Sequence, residues 1–437
     1  MATIAENLTL LKSTKAGIKA AIEAKGVSNV GDKFSDYPAK IASIPTGGST
    51  SGVSQWTGTV DRAGLTELGW STTDIDNLQA NVRWYNWQDP DYTVVDADKS
   101  ITDISQYSNN KDVRYAKMLD TSQVTSMYQV FSGCSRLISI PTLNTSQVTD
   151  MKNMFVSCSR LTSVPTLDTS QVTNMNSMFY GCTSLTSIPA LNTSRVTNMG
   201  GMFISCASLT TIPALDTSKV TDMYSVFNGC TSLTTIPALN TSRVTNMNNM
   251  FVSCSRLTTI PALDTSQVTN MGYMFSNCTR LTTIPALNTS QATVMYGMFR
   301  GCISLTTIPA LDTSQATNMS YMFSGCTSLT SIELIDFSSC TNTDYMFPSY
   351  TDYSKLTSIH VKGSISFSWT SNGFSSIPNL DFNSIKSILE AMNRCTNPET
   401  AKTMSFKATM TDQDSQLTNL VSECNGKGWT ITGLTIN

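Results

Sequence analysis

A strict 24-residue period constrains the fold of this sequence more than any other feature. Phenylalanine and cysteine both recur at that spacing, and Phe347 fits as a degenerate last member of the phenylalanine series. The regular phenylalanines are Phe131, Phe155, Phe179, Phe203, Phe227, Phe251, Phe275, Phe299 and Phe323. So regular a register predicts that each unit is one coil of a solenoid and that each coil stacks on a copy of itself.

The apolar spacing inside a unit predicts a short helix followed by a short strand. Apolar side chains between Val148 and Leu161 are separated by three, three, one, three and three residues, as on one face of a helix. Thr149 is the predicted N-cap, and the glycines that replace Ser157 in sister coils predict a left-handed ending. The stretch Leu161–Val164 is typical of a strand, and Pro165 stops it.

The length of the unit indicates the class of solenoid. A period of 24 residues lies inside the range of leucine-rich repeats. We therefore expect an α+β repeat fold, a leucine-rich-repeat solenoid of about ten 24-residue coils whose parallel strands lie about 4.8 Å apart. A short N-terminal helix and capping modules at both ends complete the predicted chain.

Alternating acids and amides form a ladder that depends on this stacking. Asp and Asn alternate strictly at one coil position, as in Asp168, Asn192 and Asp216. If the coils lie directly over one another, the alternation separates like charges and lets each Asn amide donate to its Asp neighbours. A calcium ladder is the alternative, because hard cations prefer carboxylate and amide oxygens.

The cysteine ladder predicts buried, reduced thiols. Each cysteine occupies an apolar periodic position, and the nine from Cys134 to Cys326 are an odd number for pairing. Stacked coils would nevertheless bring neighbouring cysteines within disulfide range. The sequence contains no Cys-x-x-Cys spacing of the kind that binds zinc. We expect no metal and no other cofactor.

The segments that flank the repeats predict separate modules. The expected organisation is a helical attachment module at 1–46, a Gly/Ser linker at 47–52, an N-terminal capping module at 53–117, the solenoid at 118–360 and a C-terminal capping module at 361–437. All six tryptophans lie outside the repeats, as expected of modules with cores of their own. The C-terminal pattern predicts a helix over 382–395, a strand over 404–410, a second helix over 416–424 and a strand from Trp429.

The first module carries an apolar stripe at helical spacing. Its residues are Leu8, Leu11, Ile18 and Ile22. A module of this size is too small to have a good core of its own, so we expect it to dock on another protein or to self-associate. A homotrimer is one form that such self-association could take.

The coil motif resembles a known family. Residues 119–358 repeat Leu-[Asp/Asn]-Thr-Ser-x-Val-Thr-x-Met-x-x-Met-Phe-x-x-Cys-x-x-Leu-Thr-x-Ile-Pro, which resembles the BspA-like type of leucine-rich repeat. That family is known for surface adhesins of bacteria and protists. The opening Leu-Leu-Lys-Ser-Thr-Lys and the later Phe-Ser-Asp-Tyr-Pro-Ala-Lys are similar to the N-terminal segments of bacteriophage tail and head-fibre proteins. The terminal Asn-Gly-Lys-Gly-Trp-Thr-Ile-Thr is similar to the ends of phage and gut-bacterial fibre proteins.

Composition argues against several classes of function. A net charge of −3 provides no field that attracts nucleic acid. No run of about 18 apolar residues is available to span a membrane. With one histidine, His360, and neither a phosphate-binding loop nor a Gly-x-Ser-x-Gly elbow, the sequence predicts no enzyme. Charged residues throughout the first 26 positions argue against a signal peptide, which favours a virion protein assembled in the host cytoplasm over an exported adhesin.

Positions that differ between coils indicate where a ligand would bind. The two residues after the first methionine of each coil are mostly Tyr, Asn, Ser and Gly, which are typical of adaptable binding surfaces. The predicted contact residues are Tyr128, Tyr180, Tyr224, Tyr273, Tyr296, Tyr321, Arg136, Arg160, Arg256 and Arg280. Aromatic and arginine side chains are favoured anchors. An ordinary solvated face is the alternative, and the Thr/Ser row at Thr162 and Ser163 is a second location.

These features together predict a bacteriophage tail or head fibre with no enzymatic activity. Its N-terminal module would bind other virion proteins, and its solenoid would bind a glycan or protein on the host cell surface. A purely architectural virion component without a receptor, and a bacterial cell-surface adhesin, are the alternatives.

Overall fold

The structure is a computed structural model that describes residues 109, 121–140, 142–365, 374–395, 402–412 and 414–437. All of these residues belong to one compact unit of the chain. The predicted attachment module at 1–46, with its helix, the linker at 47–52 and nearly all of the predicted cap at 53–117 lie outside the described residues.

Successive coils stack in register, with equivalent residues 24 positions apart. Parallel bridges join these equivalent residues along a row from Ser126 to Asn342. Backbone amides donate from one coil to the next, as from Met151 N to Asn174 O at 3.0 Å. Hydrogen bonds between coils therefore hold the stack, and the predicted leucine-rich-repeat solenoid is confirmed.

The predicted helix within each coil is wrong. Cys158 N donates to Phe155 O only three residues back, at 3.1 Å, whereas an α-helix requires bonds to the fourth residue back. Asn153 and Ser157 have φ of 59°, so two left-handed residues interrupt the segment. Thr149, the predicted N-cap, donates instead from its amide and hydroxyl to the preceding coil. The left-handed ending at Ser157 is confirmed. Inward-facing side chains recur about every third residue through a series of tight turns, which imitates a helical period.

Among the described residues of the solenoid, strands form only in the last coils. They are β1 (Thr307–Ile308), β2 (Ser331–Asp336) and β3 (Ser358–Lys362), in the order β1-β2-β3 with parallel pairing. The predicted strand at Leu161–Val164 is not formed. Proline explains why most coils lack a strand here, because it ends strand pairing after a few residues. In the longer β2, Glu333 occupies the position that holds proline in the other coils.

The phenylalanines form a continuous stack through the centre of the coils. Neighbouring rings from Phe131 to Phe347 have centroids 5.5–6.1 Å apart and planes within 18° of each other. The cysteines form a second buried row and are not crosslinked. Each ladder thiol from Cys158 onwards donates to a phenylalanine carbonyl of the preceding coil, as from Cys158 Sγ to Phe131 O at 2.9 Å. The cysteines are thus buried free thiols, as the sequence predicts.

The C-terminal elements lie close to where the sequence predicts them. They are α1 (Phe382–Asn393), β4 (Lys402–Met410), α2 (Gln416–Gly426) and β5 (Trp429–Ile436). Asp381 is the N-cap of helix α1, and its carboxylate accepts from Ser384 N at 2.7 Å. Strands β4 and β5 pair in parallel. Phe374 and Phe406 extend the ring stack beyond Phe347, with centroid separations of 5.9 and 6.1 Å. These elements therefore cover the apolar end of the last coil.

Candidate functional site

The residues that vary between coils form two adjacent rows on the solenoid. We define the first row as the residue directly after the first methionine of each coil, or after Thr343 in the last coil, and the second row as the residue after that. The first row is Tyr128, Lys152, Asn176, Gly200, Tyr224, Asn248, Gly272, Tyr296, Ser320 and Asp344. The second row is Gln129, Asn153, Ser177, Gly201, Ser225, Asn249, Tyr273, Gly297, Tyr321 and Tyr345.

Every residue of the second row has a left-handed backbone. The φ angles lie between 53° and 65°. Glycine adopts this region without cost, and asparagine tolerates it better than most residues. The small polar residues of this row therefore have a conformational cause, which corrects the interpretation of their composition as a sign of binding.

Three tyrosines of the second row depart from this pattern. Tyr273, Tyr321 and Tyr345 have φ of 53°, 57° and 55°. A bulky residue in this region is an outlier and costs on the order of 1–3 kcal/mol. Such strain is concentrated at functional sites in proteins, so these three positions are candidates for a ligand site.

Tyr273 and Tyr296 fit together because each lies over a glycine in the neighbouring coil. A Cβ atom on Gly297 would lie 2.1 Å from Tyr273 Cε1, and one on Gly272 would lie 2.8 Å from Tyr296 Cζ. The two rings meet edge to face at 4.9 Å and 80°. Asn248 Nδ2 donates to Tyr296 Oη at 3.2 Å. The two glycines and the amide fix the orientation of this pair.

Tyr321 and Tyr345 form a second, parallel pair in the adjoining coils. Their ring centroids are 5.0 Å apart and their planes differ by 17°. The guanidinium carbon of Arg300 lies 5.9 Å from the centroid of Tyr321. Tyr350 is 70% exposed, and its hydroxyl lies 3.3 Å from Ser324 Oγ. A guanidinium group and a further phenol therefore lie near this pair of stacked rings.

The two pairs belong to one surface, which we call the tyrosine cluster: Tyr273, Tyr296, Tyr321, Tyr345, Tyr350 and Arg300. Desolvation and then the phenols of Tyr345, Tyr350 and Tyr273 raise the pKa of Tyr321 above its ordinary value of 10.0, whereas Arg300 acts to lower it. The hydroxyl of Tyr321 therefore stays protonated at neutral pH and can donate a hydrogen bond.

The structure brings together only some of the predicted contact residues. Tyr273, Tyr296 and Tyr321 lie in the tyrosine cluster. Tyr128, Tyr180 and Tyr224 lie in coils nearer the N-terminus, where they are 44%, 40% and 43% exposed. Among the described residues no ring contact joins these three to the cluster, and the ring of Tyr128 lies instead near Lys152 Nζ, 6.0 Å from its centroid.

The predicted arginines form a separate row, two residues after the cysteines. Arg160, Arg256 and Arg280 are exposed, Arg136 is partly exposed, and within the described ranges the first three make no contact with a tyrosine ring. Their role in binding stays a prediction.

The sequence-based selection missed three residues of the cluster: Arg300, Tyr345 and Tyr350. Tyr345 could have been found by extending the period, because it lies 24 residues after Tyr321.

The Asp/Asn ladder makes local contacts instead of contacts between coils. Asp168 Oδ1 accepts from Ser170 N at 3.0 Å, and Asn192 Oδ1 accepts from Ser194 N at 3.2 Å and Ser194 Oγ at 2.8 Å. The bonds from Ser170 lower the pKa of Asp168 below its ordinary value of 3.8. In the described part of the chain no ladder amide donates to a neighbouring ladder carboxylate, so that prediction is wrong. A turn of this kind is favoured because its donors lie only two residues away.

The sequence predicts no metal centre and no membrane span for the chain, and both stay predictions; the described ranges give two findings that bear on them. They contain no group of three or more His, Cys, Asp or Glu side chains placed to hold a metal ion. No helix in them has the length and apolar character needed to cross a bilayer. The expected absence of a cofactor from the whole chain stays a prediction.

Comparison with known proteins identifies the family. The family described as "Mycoplasma protein of unknown function, DUF285" matches residues 99–211, 186–282, 207–304 and 257–360, which together span 99–360 of 437 residues. The chain belongs to the DUF285 family. No curated protein matches the chain. The DUF285 match covers all of the coils that carry the two rows.

Solved structures with similarity to this DUF285 chain include two leucine-rich repeat proteins. The T. pallidum protein TpLRR is 19% identical and has a TM-score of 0.27, with 44% of this chain and 76% of that chain covered. A leucine-rich repeat protein from Eubacterium ventriosum is 17% identical and has a TM-score of 0.30, with 65% and 91% covered. TLR13 in its complex with ssRNA13 is 12% identical and has a TM-score of 0.23, with 74% and 51% covered.

Proposed function

We propose that this DUF285 protein is a non-enzymatic binding protein, and that the tyrosine cluster attaches its solenoid to a partner on a cell surface. The observation that carries the proposal is the presence of Tyr273, Tyr321 and Tyr345 at left-handed positions that sister coils fill mainly with Asn, Ser and Gly. Asn, Ser and Gly fit this left-handed position with less strain, and most coils of the chain have one of them there. Stability alone therefore does not account for the three tyrosines. Tyr345 is exposed and Tyr321 is partly exposed beside Arg300, and aromatic and arginine side chains are favoured anchors in interfaces.

The test compares binding of the full-length protein to a panel of bacterial and eukaryotic cells. We expect saturable binding to at least one cell type. When both Tyr321 and Tyr345 are changed to Asn, the binding affinity should fall about tenfold or more, as it does when other aromatic anchors are removed. Tyr224→Asn is the matched control, because Asn already occurs in the same row at Asn248. Equal binding by the wild type and the double variant would refute the proposed contact surface.

We also propose that the protein carrying this surface is a component of a virion. The resemblance of residues 1–46 to the N-terminal segments of phage fibre proteins supports a virion fibre, assembled in the host cytoplasm and bound to other virion proteins through that segment. The resemblance of the coils to BspA-like repeats supports an adhesive role and also suits a bacterial cell-surface adhesin. An architectural virion component would have no receptor and would show no binding to cells.

A deletion of residues 1–46 tests the virion setting. We expect the shortened protein to keep the cooperative unfolding of the solenoid but to be absent from purified particles. Incorporation of the shortened protein at the wild-type level would contradict attachment through this segment.

A further inference from the structure

Arg300 gives the tyrosine cluster a positive charge that the sister coils lack. It occupies the position directly after the coil phenylalanine, which elsewhere holds uncharged residues such as Ser276 and Ser324. Its side chain is exposed and makes no ion pair with any described residue. The guanidinium group therefore has its hydrogen-bond donors available to a ligand, 5.9 Å from the centre of the Tyr321 ring.

The charge and the geometry select an anionic ligand. A guanidinium group binds carboxylate and sulfate groups through two parallel hydrogen bonds. A ligand cation is disfavoured, because Arg300 already lies near Tyr321 and would repel it. The cluster thus combines one anion-binding group with several aromatic surfaces.

The arrangement of the phenols suits a saccharide. A tyrosine side chain presents an apolar ring and a polar hydroxyl, which match the C–H faces and the hydroxyl edges of a pyranose. Coils that pair in parallel are about 4.8 Å apart, which is close to the length that one pyranose adds to an extended sugar chain. Tyr273, Tyr321 and Tyr345 lie along that direction, in a single row of successive coils interrupted only by Gly297.

We propose that the tyrosine cluster binds an acidic saccharide, a sugar chain with carboxylate or sulfate groups, which lies along the solenoid axis with one anionic group on Arg300. This inference rests on the proposed function, since it names the ligand class of the same surface. The phenols of Tyr321 and Tyr350 provide additional donors to the sugar hydroxyls.

The experiment measures binding of the full-length protein to three acidic oligosaccharides: an oligogalacturonate, a sialylated oligosaccharide and a sulfated oligosaccharide. Each is paired with its neutral counterpart, in which the acid is esterified or removed. We expect at least one acidic member to bind about tenfold or more tightly than its neutral partner, and the affinity to fall with added salt.

Two variants assign the binding to the cluster. Arg300→Ser, matched to Ser276 and Ser324, should remove the preference for the acidic member while the far-ultraviolet circular dichroism spectrum stays unchanged. Arg243→Gln is the control for loss of an exposed arginine, because sister coils have Gln267 and Gln291 at that position, and it should keep the preference. Tyr321→Asn should weaken the binding of both the acidic oligosaccharide and its neutral counterpart, because it removes the aromatic surface.

The outcomes separate the ligand class from the function. If no acidic saccharide binds while cells still bind through the cluster, the ligand class is wrong and the proposed function stands. Protease-sensitive binding to cells would likewise indicate a protein partner and overturn the saccharide. Concentration-dependent dimerisation that Tyr321→Asn abolishes would assign the surface to a second copy of the chain, and would overturn both proposals.

Discussion

At the scale of single residues, the repeat provides its own controls. Ten coils place a residue in the same left-handed position, so the substitutions that the backbone accepts can be compared within one chain. Asn, Ser and Gly recur there, whereas Tyr273, Tyr321 and Tyr345 combine a bulky side chain with the same φ. The energetic cost of a tyrosine at this position is therefore accessible to measurement.

Tyr321 provides that measurement through two substitutions. We expect the free energy of unfolding of Tyr321→Asn to exceed that of Tyr321→Val by about 1 kcal/mol, because a β-branched residue tolerates positive φ poorly and asparagine tolerates it well. Urea denaturation of both variants gives the difference. The same pair of changes at Tyr224, whose φ is not positive, should show no advantage of Asn. Equal stability of the two Tyr321 variants would contradict the assigned backbone strain.

At the scale of one coil, hydrogen bonding and not helix formation organises the chain. Turns alternate with bonds to the next coil, and the cysteine side chain takes part by donating to a buried carbonyl, as from Cys254 Sγ to Phe227 O at 3.1 Å. Burial raises the pKa of the Cys206 thiol to about 12. These thiols therefore act as small apolar groups with a satisfied donor.

The thiol row predicts resistance to chemical modification. All 12 cysteines are buried and free, so we expect a thiol-specific maleimide to leave the native protein unlabelled at pH 7 and to label every cysteine in denaturant. Mass spectrometry counts the adducts. Fewer than 12 labelled sites in the denatured, unreduced protein would reveal crosslinked cysteines and contradict the free thiol row.

At the scale of the whole molecule, a ring stack runs through the coils into the C-terminal elements. Phe347 contacts Phe374, which in turn contacts Phe406 of β4. Because each coil contacts mainly its neighbours, stability is close to a sum of local interface terms. Covering the end of the stack protects the last coil, whose apolar face would otherwise meet water.

Phe227 tests how far a defect in the stack extends. Its ring lies 5.8 Å from Phe203 and 5.6 Å from Phe251, so Phe227→Ala should cost about 3–5 kcal/mol. We expect hydrogen exchange to accelerate mainly in the coils that contain these three residues. Phe227→Leu should give a smaller effect with the same distribution. A uniform increase in exchange over the whole solenoid would contradict nearest-neighbour coupling.

The sequence predicted the period, the stack of Phe131 to Phe347, the left-handed residue at Ser157 and the C-terminal elements α1, β4, α2 and β5. These features depend on local pattern, since a repeated residue must occupy a repeated environment. The helix over Val148–Leu161 could not be excluded in this way, because inward-facing residues in consecutive tight turns also recur about every third position.

The candidate site was only partly predictable for the same reason. The sequence identified Tyr273, Tyr296 and Tyr321 as members of variable rows, but it grouped them with Tyr128 and with distant arginines. Which side chains share one surface depends on ring orientation, and for Tyr273 and Tyr296 that orientation is set by Gly297 and Gly272 in adjacent coils.

The 24-residue period was enough to predict that the solenoid is a stack of similar coils, because periodic burial admits few other arrangements. The left-handed backbone at Asn153 and its equivalents, and the position of Arg300 near Tyr321, are evident only from the folded coils. Backbone hydrogen bonds between coils fix the φ angles and side-chain directions, and most of those bonds join residues 23 or 24 positions apart, which a local sequence pattern does not contain.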